Sequence, residues 1–152
     1  MSHSCAKVYL HVVFSTKNRA PFLADKSLRQ ETHAYLAGAC RKIGIPSLIV
    51  GGVEDHVHIS CYMSRTITMA NFVAEIKRES SKWIKTKDDT LSDFYWQNGY
   101  GIFSISPSHI SDLRRYIENQ EEHHRHESFQ DEYRRLLKKY GVDYDERYVW
   151  VR

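Results

Sequence analysis

Two histidines stand one residue apart in the stretch Glu54-Asp55-His56-Val57-His58-Ile59-Ser60. In an extended strand successive side chains point to opposite faces. His56 and His58 then share a face with Ser60 and Tyr62, while Val57, Ile59, Cys61 and Met63 share the other. The result is a strand with an apolar back and two imidazoles side by side on its front. Two neutral imidazoles so placed can grip one metal ion. The plainer alternative is an exposed strand that happens to carry two histidines.

A second group of chemically able residues lies in a helix expected from about Ser108 to His124 or beyond. Ile110, Leu113 and Ile117 fall within a narrow arc of the helical wheel and form its core face. Tyr116 lies about 100° around the wheel from Ile117, and Gln120 sits one turn on from Tyr116, so the two side chains are neighbours. His109, Asp112 and His123 fall near the same polar stripe. The plainer reading makes Tyr116 a core-edge tyrosine with a wet hydroxyl and Gln120 a solvated amide.

Taken together, the two groups suggest phosphoryl chemistry. A metal held by His56, His58 and a neutral oxygen ligand such as an amide keeps its full charge and open positions. That suits a hard divalent ion, Mg²⁺ or Mn²⁺, that must also hold a phosphate. A tyrosine hydroxyl could then attack phosphorus. Free tyrosine titrates near pH ~10, so the phenol needs help from the metal or a nearby base. The phosphotyrosine ester would conserve the energy of the phosphodiester, and a DNA hydroxyl could reverse the step without ATP.

The elements that must position these groups are legible as pattern. Residues 7–16 alternate as a strand, Val8, Leu10, Val12 and Phe14 against Tyr9, His11, Val13 and Ser15. Asp25 caps a helix running to about Ile43, stopped by Gly44. A strand from Ser47 to Val53 contains two glycines, which signal a bulge or a close backbone approach. Glu54-Asp55 turns it into the histidine strand, His56 to Met63, as an antiparallel hairpin. Thr68 caps a helix from Met69 to Lys85 with a clear apolar stripe. The stretch from Phe94 reads as a strand broken at Asn98-Gly99 and resumed from Gly101 to Ser106. After the helix of Tyr116 comes a polar stretch, His123-His124-Arg125-His126 included, which could add positive charge near DNA and more commonly reads as a polar helix end. A last helix, Phe129 to Tyr140, leads to an extended tail. The order predicts an α+β fold of the ferredoxin-like, split βαβ type: an antiparallel sheet with helices on one face and an extra C-terminal helix. Residues 1–127 would form the main domain, with 128–152 packed on it or on a partner.

Composition sets the frame. A chain of 152 residues with 41% hydrophobic and 27% charged residues suits one ordinary globular domain. No apolar run approaches the ~20 residues of a membrane span, and the N-terminus lacks a signal-peptide layout. Cys5, Cys40 and Cys61 are widely spaced and odd in number, as for free thiols in a reducing cytoplasm. The formal charge of +3 tolerates a nucleic-acid partner without demanding one.

The segment from Asp55 to Ser60, "DHVHIS", resembles the histidine-hydrophobic-histidine signature of the HUH endonucleases. "YIENQ", Tyr116 to Gln120, is similar to the Tyr-x-x-x-Gln motif of their single-tyrosine transposases, both the insertion-sequence and the REP-associated kinds. The spacing between the motifs fits that group, as do "HVVFSTKNRAPFL" (His11 to Leu23) and the tail from Phe129 to Trp150, so the resemblance covers nearly the whole chain. It implies a transposase that cleaves and rejoins single-stranded DNA carrying imperfect hairpins. Such enzymes stay attached to the 5′ phosphate, leave a 3′ hydroxyl and act as homodimers. It implies His56, His58 and Gln120 as ligands of Mg²⁺ or Mn²⁺ and Tyr116 as nucleophile.

Candidate phosphate contacts are Lys17 and Arg19 after the first strand and Lys77, Arg78 and Lys82 on the second helix. Each is also readable as an ordinary solvated charge. Tyr95, Trp96 and Tyr100 offer rings for base stacking or for sheet packing. Two other functions fit the same residues: an HUH replication initiator or relaxase that nicks one strand, and a non-catalytic regulator that binds single-stranded nucleic acid on its sheet. A metal oxidoreductase on a barrel fits poorly, since the pattern is rich in helices and only Glu54 offers a nearby carboxylate. No membrane and no small-molecule substrate are expected.

Overall fold

The structure, a computed structural model, describes residues 3–151. Four strands form one antiparallel sheet in the order β2-β3-β1-β4: β1 (Tyr9–Ser15), β2 (Ser47–Gly52), β3 (His56–Tyr62) and β4 (Gly101–Ile105). β2 and β3 make the expected hairpin, with a register shift between Ser47 and Ile49. α1 (Lys26–Lys42) follows β1 and α2 (Met69–Lys85) follows β3, which is the split βαβ arrangement the pattern predicts. Both helices begin on caps: Asp25 accepts from the Leu28 amide and Thr68 from the Asn71 amide.

Register explains the core. Val12 pairs with Ile59, and Phe14 with Val57, so the apolar sides of β1 and β3 coincide. α1 and α2 cover that side, with Leu36, Cys40, Phe72, Val73 and Ile76 buried against it. The other side carries Val13 opposite His58, Ser15 opposite His56 and His11 opposite Ser60. Helices cover this side too, so the expectation of helices on one face holds only for α1 and α2. Here α3 (Ile110–Glu118) lies on β2 and β3, while α5 (Phe129–Lys139) packs Phe129, Leu136 and Leu137 against Val13 and Phe103.

Two glycines make this second layer fit. A Cβ on Gly51 would stand 2.7 Å from Cγ2 of Ile117 and 2.9 Å from its carbonyl oxygen. A Cβ on Gly101 would stand 2.8 Å from the Tyr133 ring. Gly51 is therefore the close-approach glycine that the β2 sequence signalled, and it seats the helix that carries Tyr116.

Other expectations shift. The helix around Tyr116 is not continuous to His124: α3 ends at Glu118, Asn119 adopts φ −96°, ψ 17°, and a short α4 (Gln120–His123) follows. Asparagine is a weak helix former, and this bridge conformation turns the chain. Before β4, residues 94–100 contribute only an isolated bridge, Thr16 to Trp96. Trp96 is core: its Nε1–H donates to Ser80 Oγ at 2.9 Å, and it packs edge-on to Phe14 and Phe94.

Candidate functional site

β3 presents His56 and His58 on the face covered by α3, α4 and α5, and both imidazoles are fully buried. Gln120, at the start of α4, reaches the same point: its Oε1 lies 3.1 Å from His56 Nε2. The next residue, Glu121, pairs with Arg29 of α1 at 2.8 Å and ties this turn to the body of the fold. The histidines and Gln120 named from sequence therefore converge within one chain, as does Tyr116, whose ring centroid lies 5.7 Å from that of His58.

Sequence reasoning did not single out the residue at the centre. Glu132 of α5 is fully buried, and its Oε1 lies 3.0 Å from His58 Nε2, 3.2 Å from His56 Nε2 and 3.1 Å from His124 Nε2. Its Oε2 accepts from Gln120 Nε2 at 3.2 Å and from the Tyr116 hydroxyl. A signal for it existed. Phe129, Glu132, Leu136 and Tyr140 follow helical spacing, so a carboxylate stands in an apolar stripe, and a buried carboxylate needs partners. His124 stands in a stretch whose sequence suggests a polar helix end, yet in the structure it turns inward to Glu132.

The donor set fits a divalent metal. Ligand atoms of His56, His58, His124 and Glu132 all lie within 4.8 Å of one another. Each imidazole is also held from behind through Nδ1: His56 by Asp55 Oδ1 at 2.7 Å, His58 by His11 Nε2 at 2.7 Å, and His124 by the Glu127 carbonyl at 2.6 Å. The Asp55 carboxylate and the Glu127 carbonyl can only accept, so they fix on His56 and His124 the tautomer that turns Nε2 to a metal, while in the His11–His58 pair either nitrogen can carry the proton. Glu132 Oε1 gathers all three Nε2 atoms.

Electrostatics follow from burial against these contacts. Burial works against charge on His56, but the hydrogen bonds it donates to the Asp55 and Glu132 carboxylates outweigh it and raise the imidazole to about 9. For His58 burial wins over Glu132 and holds it down to about 4. Burial alone would push Glu132 up, yet hydrogen bonds from His124, His56 and His58 hold it far below the usual carboxylate range. Tyr116 is raised above the ordinary phenol value by burial first and then by the Glu132 charge, with Arg135 opposing. Arg135 Nη2 donates to the Tyr116 oxygen at 3.0 Å and to Glu127 Oε1 at 3.0 Å.

The cationic residues named from sequence are not drawn to this centre. Lys77, Arg78 and Lys82 lie on α2, across the sheet from the histidines. Lys77 Nζ donates to the Gln97 carbonyl at 2.7 Å and the Gly99 carbonyl at 2.6 Å, and burial lowers it to about 8. Arg78 pairs with Glu75 and Glu79. Lys17 faces the exposed Tyr95 ring at 5.9 Å, and Arg19 faces Trp150 at 5.7 Å.

The family model described as "Transposase IS200 like" matches residues 4–120, more than half of the chain. No curated protein matches it. Among solved structures the chain resembles a protein of Deinococcus radiodurans R1 described as a transposase, at 20% identity and a TM-score of 0.61, covering 79% of this chain and 95% of that one. It also resembles a REP-associated tyrosine transposase bound to a REP hairpin, at 16% identity and a TM-score of 0.51, covering 77% of this chain and 68% of that one. At those identities the structures speak for the fold, and the family match speaks for the kind of protein. It ends at Gln120, so His124, Glu132 and Arg135 lie beyond the matched residues. The chain belongs to the IS200-like transposases, enzymes that transfer DNA strands.

Proposed function

We propose that the protein cleaves and rejoins single-stranded DNA through a covalent link between Tyr116 and a 5′ phosphate, next to a divalent metal held by His56, His58 and Gln120, with His124 and Glu132 completing the donor set. The single observation that carries this reading is the convergence of three imidazole Nε2 atoms and the Tyr116 hydroxyl on one buried carboxylate, Glu132.

A bound divalent ion would polarise a phosphodiester oxygen and offset charge in the transition state. Tyr116 Oη attacks phosphorus as the P–O3′ bond breaks. Its proton leaves along the hydrogen bond to Glu132 Oε2, and the departing 3′ oxygen takes a proton from solvent. Arg135, already at the phenol oxygen, offsets the charge that develops there. In the reverse step a 3′ hydroxyl attacks the phosphotyrosine and releases Tyr116. With three imidazoles among the donors, Mn²⁺ is favoured over Mg²⁺, which takes oxygen ligands by preference.

The substrate we propose is single-stranded DNA with imperfect hairpins, in keeping with the REP hairpin held by one structural relative. Tyr116 and the imidazoles come together within one chain, and the assembly we propose is a homodimer. Its use would be to hold two cleaved ends for rejoining. That α5 brings Glu132 and Arg135 supports reading this helix as part of the same catalytic unit. Cys40 and Cys61 are buried free thiols and Cys5 an exposed one, which suits a cytoplasmic protein. No helix among the described residues is long and apolar enough to cross a membrane.

The test is a hairpin-bearing oligonucleotide labelled on the 3′ side of the cut, incubated with Mn²⁺ and resolved under denaturing conditions. The wild type retains label covalently, and Tyr116→Phe does not. Label retained by Tyr116→Phe would reassign the nucleophile. Simple nicking without joining of two different cleaved ends would favour the initiator or relaxase reading.

A further inference from the structure

We propose that the cavity beside Tyr116, walled by β4, α3 and α5, is a pocket for one nucleotide: the first of the strand retained through its 5′ phosphate. Arg135 and Lys139 form its phosphate-binding wall. This rests on the strand-cleavage reading above.

The cavity has a volume of about 530 Å³, within the ~300–1,000 Å³ of pockets that enclose small organic ligands. It adjoins the reacting residue, because Tyr116 and His11 are part of its lining. Arg135 stands where the phosphate must arrive. Its Nη2 is 3.0 Å from Tyr116 Oη, so once that oxygen is bonded to phosphorus the phosphoryl oxygens stand beside the guanidinium. A guanidinium is a planar fork suited to phosphate. Glu127 braces it at 3.0 Å and holds it 5.8 Å over the tyrosine ring.

Lys139 lies four residues on from Arg135 in α5, on the same side of the helix, and is exposed at the cavity. A second cation one turn away suits the next phosphate along a strand. Between them the cavity is apolar and aromatic. Tyr140 lines it, with one ring face stacked on Phe103 at 4.7 Å, and Ile105 comes from β4. A base is a flat ring that such a surface accepts without regard to sequence. The rim is polar, with His109 and with Asp112, which is paired to Arg115 across one turn.

The choice of strand follows from in-line displacement. The leaving 3′ oxygen departs opposite Tyr116 Oη. The upstream strand therefore points away from the tyrosine, and the retained nucleotide hangs from the phosphorus beside it, where the cavity lies.

The test uses the full chain and oligonucleotides with a single abasic residue just downstream or just upstream of the cut. Ile105→Trp fills the cavity from the sheet, and Ser106→Trp fills its mouth from an exposed position should the first variant misfold. Adduct formation in Mn²⁺ is expected to slow at least tenfold with the downstream abasic strand and with either filled cavity, while binding of an isolated hairpin changes less than twofold. Lys139→Ala is expected to lower the salt slope of strand binding by about 0.7, as loss of one single-strand phosphate contact does. Binding is read separately in Tyr116→Phe, which needs no cleavage. If wild type forms no adduct but strand binding to Tyr116→Phe still depends on the downstream base and on Ile105, the pocket stands and the cleavage reading falls. Wild-type rates in both filled variants, or an effect confined to the upstream base, would overturn the pocket.

Discussion

The hydroxyl of Tyr116, on α3, donates to the carboxylate of Glu132, on α5, and that carboxylate is also where His56, His58 and His124 meet. Nucleophile and metal-binding imidazoles are thus joined through one buried side chain. The carboxylate that joins the phenol to the imidazoles comes from a helix that lies beyond the residues matched by the family.

Glu132→Gln keeps the shape and removes the charge. Loss of an outer partner of metal-ligating histidines typically weakens metal affinity about 10–100-fold, and Mn²⁺ titration by calorimetry is expected to read a loss of at least that size. Glu132→Ala leaves the buried imidazoles without their partner, and removing one member of a buried pair costs ~3–5 kcal/mol, read by urea denaturation. Unchanged Mn²⁺ affinity in Glu132→Gln would remove Glu132 from the metal site.

The same contacts set a pH dependence for the metal-free protein. His58, held down to about 4 by burial, adds stability that is complete above its unfolded value near 6.5 and is lost as pH falls through 4. His56, raised to about 9 by Asp55 and Glu132 against the cost of burial, contributes in the opposite sense. Its share is complete below about 6.5 and lost as pH rises through 9. Stability should therefore peak near pH 6.5, falling by a few kcal/mol, on the order of two pKa units for each group, toward pH 4 and toward pH 9. Glu132, depressed by its imidazole hydrogen bonds despite burial, steepens the acid side. Urea midpoints from pH 4 to 9 check this, and His58→Gln should flatten the acid limb. A wild-type profile that is level across the range would contradict the assigned environments.

Much of this is legible in the sequence itself, for identifiable reasons. The alternation of Val57 and Ile59 with His56 and His58 fixes which face the imidazoles occupy, and β1 repeats it with Val12 and Phe14. The four-residue step from Tyr116 to Gln120 survives the kink at Asn119, because Gln120 Nε2 still reaches the Tyr116 carbonyl at 3.4 Å. Tertiary choices were not legible. No local pattern says that α5 folds back onto the histidine face, so Glu132, Arg135 and His124 had no visible partner. Nor does any local pattern show that the turn after Asn119 is tied to the body of the fold by Glu121 and Arg29, 92 residues apart in the chain.

Gly51 tests how tightly fold and site are coupled. An added Cβ would meet the Ile117 carbonyl oxygen at 2.9 Å, and backbone cannot rotate away as a side chain can. Overpacking of this kind costs ~1–3 kcal/mol. Because Ile117 adjoins Tyr116, Gly51→Ala should also displace the nucleophile and reduce adduct formation more than the lost stability accounts for at a temperature where the variant is folded. Full adduct formation by a stable Gly51→Ala protein would separate the packing from the chemistry.

Lys77 offers the converse case. Its ammonium is engaged by the Gln97 and Gly99 carbonyls, which precede β4, and lies 5.1 Å from the centroid of the Phe14 ring. Charged hydrogen bonds of this kind are worth about 1.5–3 kcal/mol. Lys77→Met keeps the apolar stem and is expected to lower stability by about that much. Its effect on DNA should be small, because a cation committed to carbonyls releases no counterion from a phosphate. Strand-binding affinity measured across salt concentrations should keep the wild-type slope in Lys77→Met. A slope reduced by about 0.7 would show instead that Lys77 leaves its carbonyls to meet the strand, and would move the DNA path around the edge of the sheet toward α2.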